Sequence, residues 1–444
     1  MMCKFFLYLL FSICYLIMLS IMVVFERNKP RKIILWSVVF LFTQPIGYAV
    51  YLISRIIVNK KKNSLKTKLI EDEIYSNLSS NALIDNEIEL KGELFEFNKL
   101  AFNAVSTENN SYEFFNSYED FKKDLISKIK TAKRTILLEL MQVNKTDFAT
   151  IADVLKEQAK KEVVIKLIYE KRLNYKLIKE LKNAGIKVYR FSHYNTIDCL
   201  YSNFRNVISI DNDVVYIGNL NLTKKQQTNL YDICDCLLKI KGDVVQDINL
   251  DLHKDIIFAS GKYIEYKQLP NEIKNNSVIQ YISNQYEKDL ELLIIKAISS
   301  AKKSIQLQIE KFIPSESIIS LLNFAINSNI EVRLMVPLRA KEKSKFYATR
   351  AYAKELALLG ANVYLYDGYI RFNSIVVDND YVLYGNYTLD REYISTALQN
   401  IIIIKEAKAV NHFNKLFDAS INNSYRINNA NFMLLREKLF KNIV

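Results

Sequence analysis

Two similar stretches of this chain contain the residues whose types and spacing could form a chemical site. Each has a β-branched run, an Asp-Asn-Asp segment, a second β-branched run and a glycine, over residues 204–221 and 371–388. The corresponding positions are Phe204, Asn206, Asp211, Gly218 and Asn221 in the first stretch, and Arg371, Asn373, Asp378, Gly385 and Thr388 in the second. Among these, a guanidinium can hold phosphate oxygens through two parallel hydrogen bonds, and a carboxylate can attack phosphorus.

The two aspartates also have a structural explanation. An Asp-Asn-Asp segment between two β-branched runs is typical of a β-hairpin turn, and a glycine at a strand end suits close backbone approach. Alternate residues of a strand share one face, so Phe204 would lie beside Asn206 and Arg371 beside Asn373. We therefore expect two hairpins whose first residues line a pocket.

The elements that position these residues form an internal repeat. Four blocks recur in one order, which is typical of a duplicated domain rather than a solenoid. Before the hairpins, "AKRTILLEL" recurs as "AKKSIQLQI", "EVVIKLIYE" as "NIEVRLMVP", and "ELKNAGIKVY" as "ELALLGANVY".

Helical and strand patterns alternate within each copy. Apolar residues recur at helical spacing at Phe121, Leu125 and Ile129, and again at Leu290, Ile294 and Ile298. The continuous apolar runs between the helices are typical of strands buried on both faces. The fold class is therefore α/β, with two tandem halves related by a pseudo-twofold axis and any shared site at that axis.

The composition indicates a large folded protein with an anionic partner. The chain has 444 residues, half of them apolar, and a net charge of +13, which favours nucleic acid or acidic lipid as a partner; a lysine-rich genome explains the charge equally well. The five cysteines show no disulfide framework or metal spacing, which suits a reducing compartment.

The N-terminal segment indicates lipid. Two apolar runs, about 5–25 and 33–53, flank the polar loop "ERNKPRK", and each is long enough to cross about 30 Å of hydrocarbon as a helix. A basic cluster after the second run favours a cytoplasmic C-terminal part, although the loop is basic too. Pro45 and Gly47 could instead bend the second helix, or make it interfacial rather than spanning.

The chain resembles bacterial cardiolipin synthases of the phospholipase D superfamily. The resemblance rests on "ERNKPRKIILWSVVFLFTQPIGYAVYLISR", on "YDICDCLLKIKGDVV", and on the segment from Arg350 through the second hairpin to Glu392. It implies two copies of a motif with a histidine, a lysine, an aspartate, a glycine and an asparagine. In that family one histidine attacks phosphorus and the other acts as acid and base, lysine and asparagine hold the phosphate oxygens, each aspartate orients a histidine, and no metal is needed.

This chain departs from that pattern at the positions the reaction needs. The histidine positions hold Phe204 and Arg371, the lysine positions hold Asn206 and Asn373, and the second asparagine position holds Thr388. Phenylalanine has no lone pair, and arginine is always protonated, so neither can be a nucleophile or a base. The glutamate that follows the second motif in the family is Gln399 here. None of the three histidines, His193, His253 and His412, lies at a motif position, and we expect the last two at the surface.

The resulting hypothesis is a membrane-anchored, multi-pass pseudoenzyme. Its binding partner would be either an anionic phospholipid such as phosphatidylglycerol or an active cardiolipin synthase. The phospholipid-binding candidates are Arg371, Asn206, Asn373 and Asn221, and no cofactor or metal is expected. An alternative is an active cardiolipin synthase with a rewired nucleophile at Asp211, Asp378 or a tyrosine. A nuclease or DNA-binding relative is a third reading, which the N-terminal segment argues against. The expected domains are residues 1–60 (membrane hairpin), 61–110 (linker and extension), 111–258 and 259–444 (the two phospholipase D-like halves).

Overall fold

The part of the chain described by the structure, a computed structural model, covers most of the two repeats. It comprises residues 2–26, 30–70, 92–143, 145–170, 173–191, 203–219, 232–260, 277–284, 290–339, 342–394, 397–427 and 434–443. Asn221 and His193, which the sequence singles out, lie outside these ranges.

Three helices precede the first repeat. They are α1 (Met2–Glu26), α2 (Pro30–Ile70) and α3 (Glu93–Phe102). Helix α3 lies in the segment predicted to be a linker, but its Leu94 and Phe95 are buried in the core of the second half.

The first half alternates strands and helices as its sequence pattern predicts. Its elements are β1 (Ser106–Phe115), α4 (Tyr118–Thr131), β2 (Thr135–Leu140), α5 (Lys145–Ala159), β3 (Val164–Tyr169), α6 (Tyr175–Asn183), β4 (Lys187–Arg190), β5 (Val207–Ile210), β6 (Val214–Gly218), β7 (Asp232–Cys234), β8 (Leu237–Gly242) and α7 (Val244–Ser260). Helix α4 begins after Ser117, whose side chain accepts the backbone N–H of Asp120 as an N-cap.

The second half repeats this order with short additions. Its elements are β9 (Ser277–Ser283), α8 (Leu290–Ser299), β10 (Ser304–Gln308), β11 (Phe312–Ile313), α9 (Glu316–Asn327), β12 (Glu331–Pro337), α10 (Lys343–Leu358), β13 (Asn362–Tyr366), β14 (Gly368–Ile370), β15 (Asn373–Val377), β16 (Tyr381–Asn386), β17 (Leu389–Asp390), β18 (Asn400–Ile404), α11 (Ala407–Ile421), β19 (Ser424–Arg426) and α12 (Leu435–Ile443). The helical pattern predicted at Leu290, Ile294 and Ile298 is confirmed, since all three are buried on α8.

The two halves share one sheet. Within the described ranges it has 15 strands, in the order β19-β13-β12-β10-β15-β16-β18-β9-β1-β8-β6-β5-β2-β3-β4. The order is symmetric about the antiparallel β9–β1 pair except for β19 at one edge, so each of the seven strands from β1 to β4 has its counterpart at the same distance on the other side. Strands β2, β3 and β4 are parallel, as are β10, β12 and β13. The predicted α/β fold with two tandem halves is therefore what the chain adopts.

Three apolar clusters make the layers of the molecule. One lies under α4, α5 and α6 of the first half, and a second lies under α8, α9 and α10 of the second half. The third contains side chains of both halves, together with α7 and α11. Because this middle cluster joins the two repeats, the motif positions of both halves lie around a common core.

Helices α1 and α2 pack against each other around Met22, Trp36, Phe40 and Tyr51. In the described part of the chain, none of the helices combines the length and the apolar character that crossing a membrane requires. The prediction of two membrane-crossing helices is therefore not supported.

The expected surface position of the histidines is wrong for His253. It is buried on α7, where its Nδ1 lies 2.8 Å from the carbonyl oxygen of Asn249, and burial lowers its pKa. His412 is half-buried and stacks on Phe114 with ring centroids 4.5 Å apart. The polar flanks of both residues hid the fact that α7 and α11 enter the middle core.

Candidate functional site

The two aspartates of the repeated stretches hold the strands together at the hairpin turns. The Asp211 carboxylate accepts the backbone N–H groups of Lys133, Arg134 and Thr135, at 2.8, 2.7 and 2.9 Å. Asp378 does the same with Lys302, Lys303 and Ser304, at 2.8, 2.6 and 2.9 Å. These are the residues that lead into β2 and β10, so each carboxylate joins its turn to the neighbouring strand.

This geometry corrects the role that the resemblance implies for the aspartates. Asp211 and Asp378 lie after the last residues of β5 and β15, while positions 204 and 371 precede these strands. Seven residues of extended chain span about 23 Å, so neither carboxylate can orient a side chain at those positions. Both aspartates have positive φ angles, 55° and 54°, which a turn requires and which aspartate tolerates.

The two asparagines at the lysine positions are also used by the fold. Asn206 accepts the backbone N–H of Met141 at 2.8 Å, and Asn373 accepts that of Glu310 at 2.8 Å. The Asn373 amide also donates to the Tyr387 carbonyl at 2.5 Å. The two amides are therefore equivalent ties between neighbouring strand ends, and neither carries the positive charge that offsets a phosphate.

The first histidine position holds an aromatic contact instead of a reactive group. The Phe204 ring lies 5.4 Å from the ring of Tyr393, measured between centroids. The Phe204 backbone N–H donates to the carbonyl of Leu398 at 2.8 Å. Position 204 therefore bridges the two halves of the molecule through packing and one backbone hydrogen bond.

The second histidine position holds a buried ion pair. Arg371 is 5% exposed and Asp235 is 4% exposed, and a guanidinium nitrogen of Arg371 lies 3.3 Å from Oδ2 of Asp235. Another guanidinium nitrogen donates to the Asn219 carbonyl at 3.2 Å, and the Arg371 backbone N–H donates to the Cys234 carbonyl at 3.0 Å. All three partners belong to the first half, so Arg371 fastens the second half to the first.

Burial and the guanidinium act in opposite directions on Asp235. Burial raises the pKa of its carboxyl above the ordinary value, and Arg371 offsets part of that rise. Asp235 lies in the segment "YDICDCLLKIKGDVV", on which the family resemblance rests, but the sequence pattern predicts no role for it. The available signal was its place just before β8, since Gln399 stands just before the equivalent strand β18.

Gln399 is the counterpart of Asp235 on the side of Phe204. Its Oε1 accepts the backbone N–H of Thr388 at 2.7 Å, and its Nε2 donates to the Tyr393 carbonyl at 2.9 Å. On the side of Arg371, the acid Asp235 is therefore paired with a cation. On the side of Phe204, the equivalent residue Gln399 is a neutral amide. Thr388 takes part through its backbone.

A closed polar network lies behind Phe204. The Arg205 guanidinium binds the Asp255 carboxylate at 2.6 Å and the Asn284 carbonyl at 2.6 Å, and Asn203 donates to Glu139. Burial, with Asp255 adjacent, raises the pKa of Glu139 well above its ordinary value. This network could not be predicted from the sequence, because its members are far apart along the chain.

The motif positions as a whole make contacts that hold the fold together. The four positions that should supply imidazole and ammonium hold a phenyl ring, a paired guanidinium and two amides bound to backbone. A carboxylate lies close to one former histidine position, but it is occupied by Arg371. In the described part of the site, these residues bring the two halves together and leave no imidazole to attack phosphorus.

Comparisons with known proteins agree with the repeat and with the fold. The family model described as "Cardiolipin synthase, PLD-like domain" matches residues 125–255 and 294–421. The cardiolipin synthase of Halalkalibacterium halodurans is 27% identical over 410 residues, covering 84% of this chain and 79% of that protein. The major cardiolipin synthase of Bacillus subtilis is 27% identical over 411 residues, covering 84% of each chain.

Solved structures show the same fold at low sequence identity. A phosphatidylserine synthase from Haemophilus influenzae superposes with a TM-score of 0.59 at 12% identity, covering 79% of this chain and 97% of that one. A polyphosphate kinase from Porphyromonas gingivalis gives a TM-score of 0.51 at 11% identity, covering 75% of this chain and 52% of that one. Identities this low speak for the architecture alone.

Proposed function

Because the chain belongs to the cardiolipin synthase family of phospholipase D-like proteins, we propose that it is a membrane-associated member that has lost phosphatidyl transfer and binds anionic phospholipid. The relatives' names refer to cardiolipin synthesis, which the resemblance describes as transfer between two phosphatidylglycerols through a phosphohistidine. In this proposal the chain binds the lipid class that the family acts on but does not catalyse the family's reaction.

The observation that carries the proposal is the Arg371–Asp235 ion pair. A histidine replaced by an inert residue could be compensated by a nearby nucleophile, but here the adjacent carboxylate is bound to a buried guanidinium. Attack by Asp235 on phosphorus would require breaking that pair and leaving Arg371 buried without its counter-ion, which is costly. Asp211 and Asp378, the two carboxylates that the sequence suggested as nucleophiles, accept three backbone N–H groups each.

A turnover assay tests the loss of activity. The purified full chain is incubated in phosphatidylglycerol micelles, and cardiolipin and glycerol are quantified beside the Bacillus subtilis synthase as a positive control. We expect neither product from this chain. Cardiolipin formed by the wild type would overturn the proposal. Its loss in the D235N variant would then favour Asp235 as the nucleophile, and its retention would leave the alternative at Asp211, Asp378 or a tyrosine.

The same geometry argues that lipid binds outside the old pocket. Three cations near the motif positions are already paired: Arg371 with Asp235, Lys311 with Glu342, and Lys345 with Asp390 and Glu392. A phosphate there would compete with these carboxylates, whereas the whole chain carries +13. The prediction that Arg371, Asn206 and Asn373 bind phospholipid therefore competes with binding at exposed lysines.

Vesicle binding separates these two possibilities. Association with phosphatidylglycerol vesicles should exceed that with phosphatidylcholine vesicles and should weaken as salt is added, because exposed charges are screened. We expect R371A, where it remains folded, to bind like the wild type. A selective loss of binding in R371A would return the lipid site to the pocket, and equal binding to both vesicles would refute the preference for anionic lipid.

A partnership with an active synthase is a further part of the proposal. Its support is a family fold whose motif positions serve structural contacts. Co-purification from native membranes in mild detergent tests it, with D380N, a substitution at an exposed turn, as a matched bait. Repeated recovery of the chain without a synthase would count against the partnership.

A further inference from the structure

The second N-terminal helix, α2, folds back on itself. The rings of Trp36 and Tyr51 lie 5.1 Å apart, and those of Phe40 and Tyr48 lie 5.7 Å apart, measured between centroids. In a straight helix the fifteen residues from Trp36 to Tyr51 would separate the two by about 22 Å along the axis. Two aromatic side chains cannot bridge that distance, so the segments before and after the bend pack side by side.

The position of the bend follows from the pairs themselves. Both ring pairs are centred in sequence near residues 43–44, next to Pro45 and Gly47. Proline lacks the N–H that would bond the preceding turn, and sharp bends of helices occur at such positions. The sequence therefore places its helix-bending residues where the contacts require the bend.

The returning segment reaches the level at which α1 ends. Arg55 lies 3.3 Å from the Glu26 carboxylate, donates to the Tyr51 hydroxyl at 2.9 Å, and stands 3.8 Å over the Phe25 ring. Glu26 is separated from the start of α2 at Pro30 by only three residues. The beginning of α2 and the part around Arg55 therefore lie at the same end of the bent helix.

The side chains of the bend are exposed and apolar. Phe42 is 80% exposed, Ile46 is 71% exposed and Leu41 is 64% exposed. The rings of Trp36, Phe40 and Tyr51 are buried. A continuous apolar surface of this kind needs a partner. A protein partner would require a groove, but this apolar surface covers the outside of the bend. Acyl chains suit such a surface.

Charge fixes the orientation of the bend. The sequence between α1 and α2 contains Arg27 and Lys29, α2 begins with Pro30, Arg31 and Lys32, and the returning segment continues into Arg55, Lys60, Lys61 and Lys62. Basic residues at both ends disagree with a crossing helix, since such residues collect on one side of the membrane. They agree with a helix whose two ends lie on the same side, facing anionic head groups.

We propose that α2 is a re-entrant membrane helix that enters one leaflet, turns near Pro45 and returns to the side it came from. The proposal rests on the membrane association proposed above. The leg from Ile33 to Thr43 is about 16 Å long, close to half of the roughly 30 Å hydrocarbon layer. The catalytic-fold body is then on the same side as the loop between α1 and α2.

Accessibility labelling tests this arrangement. N28C and N63C are made singly in a background with Cys3, Cys14 and Cys199 replaced by serine, and intact spheroplasts and inverted vesicles are treated with a membrane-impermeant maleimide. Both cysteines should be labelled in the same preparation, and the background without an added cysteine should remain unlabelled. Labelling of the two cysteines from opposite sides would overturn the proposal.

Disulfide crosslinking tests the bend itself. E26C/R55C should form an oxidised product in membranes, while E26C/I46C, whose second cysteine lies at the bend, should not. Absence of the E26C/R55C product in membranes would show that α2 does not return to the end of α1, and would overturn the bend. If the chain is recovered in the soluble fraction instead, membrane association fails, an outcome that sedimentation detects before either test is read.

Discussion

At the scale of single residues, position 371 is a structural contact between the two halves. Arg371 cannot act as a nucleophile, but its guanidinium balances an acid buried beside it. A buried charge without a partner is strongly destabilising. The presence of Asp235 therefore explains why a cation suits position 371, and the neutral Gln399 explains why Phe204 can lie on the other side.

Replacing Arg371 should expose this dependence on charge. R371Q leaves the Asp235 carboxylate buried and unpaired, so we expect a loss of about 3–5 kcal/mol in unfolding free energy at neutral pH. Without Arg371 the pKa of Asp235, already raised by burial, should rise further. The folded variant then binds a proton that the unfolded chain releases, so the loss should shrink as the pH falls through that raised pKa.

Chemical denaturation at several pH values measures this effect. The matched control is R339Q, which removes a more exposed arginine that lies 3.4 Å from Asp367 and should cost less than about 1 kcal/mol. A pH-independent loss in R371Q would contradict the argument that an unpaired carboxylate causes it.

That positions 204 and 371 supply neither a nucleophile nor a base could be predicted from residue types alone. Phenylalanine and arginine exclude nucleophilic and base catalysis in any fold. The partner of Arg371 could not be predicted, because Asp235 lies in the other half and only the folded chain brings the two together. The same reason hid the network of Arg205, Asp255 and Glu139.

At the scale of elements, the two hairpins explain why their aspartates are retained. Each carboxylate accepts three backbone N–H groups from the residues that lead into the neighbouring strand, as Asp378 does before β10. The D378N substitution keeps the size and tolerance of positive φ but places an NH₂ group against a backbone donor. We expect a loss of about 1–3 kcal/mol, measured by thermal or urea unfolding.

The control for D378N is D380N in the same turn. Asp380 is exposed and forms a surface ion pair with Lys405 at 3.3 Å, so its loss should cost less than about 1 kcal/mol. Equal effects of the two substitutions would show that the three N–H contacts of Asp378 contribute nothing. A drop in any lipid-related activity of D378N would report lost stability, so this variant cannot identify a nucleophile.

The elements themselves were largely predictable, because hydrophobic periodicity reflects burial directly. The repeated blocks correspond to β2 and β10, and to β3 and β12, and the apolar spacing at Phe121, Leu125 and Ile129 matches the buried face of α4. The course of α2 was not predictable as a single answer. Its apolar run allowed a spanning helix, and only contacts between residues on both sides of Pro45 distinguish a bend from a straight helix.

At the scale of the whole molecule, the two halves form one body. The sheet is continuous across β9 and β1, the middle core contains side chains of both repeats, and β14 pairs with β7 across the halves. Tyr384 of the second half donates to the Cys236 carbonyl of the first at 2.7 Å. Two domains with only separate cores would be expected to unfold separately, but these two halves also share the middle core.

We therefore expect one cooperative unfolding transition. Differential scanning calorimetry of Y384F should show that single transition at a lower temperature, because the variant leaves the carbonyl without its buried donor, a loss of about 1–3 kcal/mol. Y425F, which removes a hydroxyl from an exposed ring, should leave the temperature unchanged. Two resolved transitions in either variant would contradict the shared core.

Because Asp235 lies against Arg371, the two halves differ in how many substitutions separate them from an acid–imidazole pair. An R371H substitution would set an imidazole directly against an existing acid, a single step. At position 204 the same change would face Gln399, so a comparable acid–imidazole pair there needs two steps. Any attempt to rebuild the centre, by selection or by design, should therefore begin in the second half.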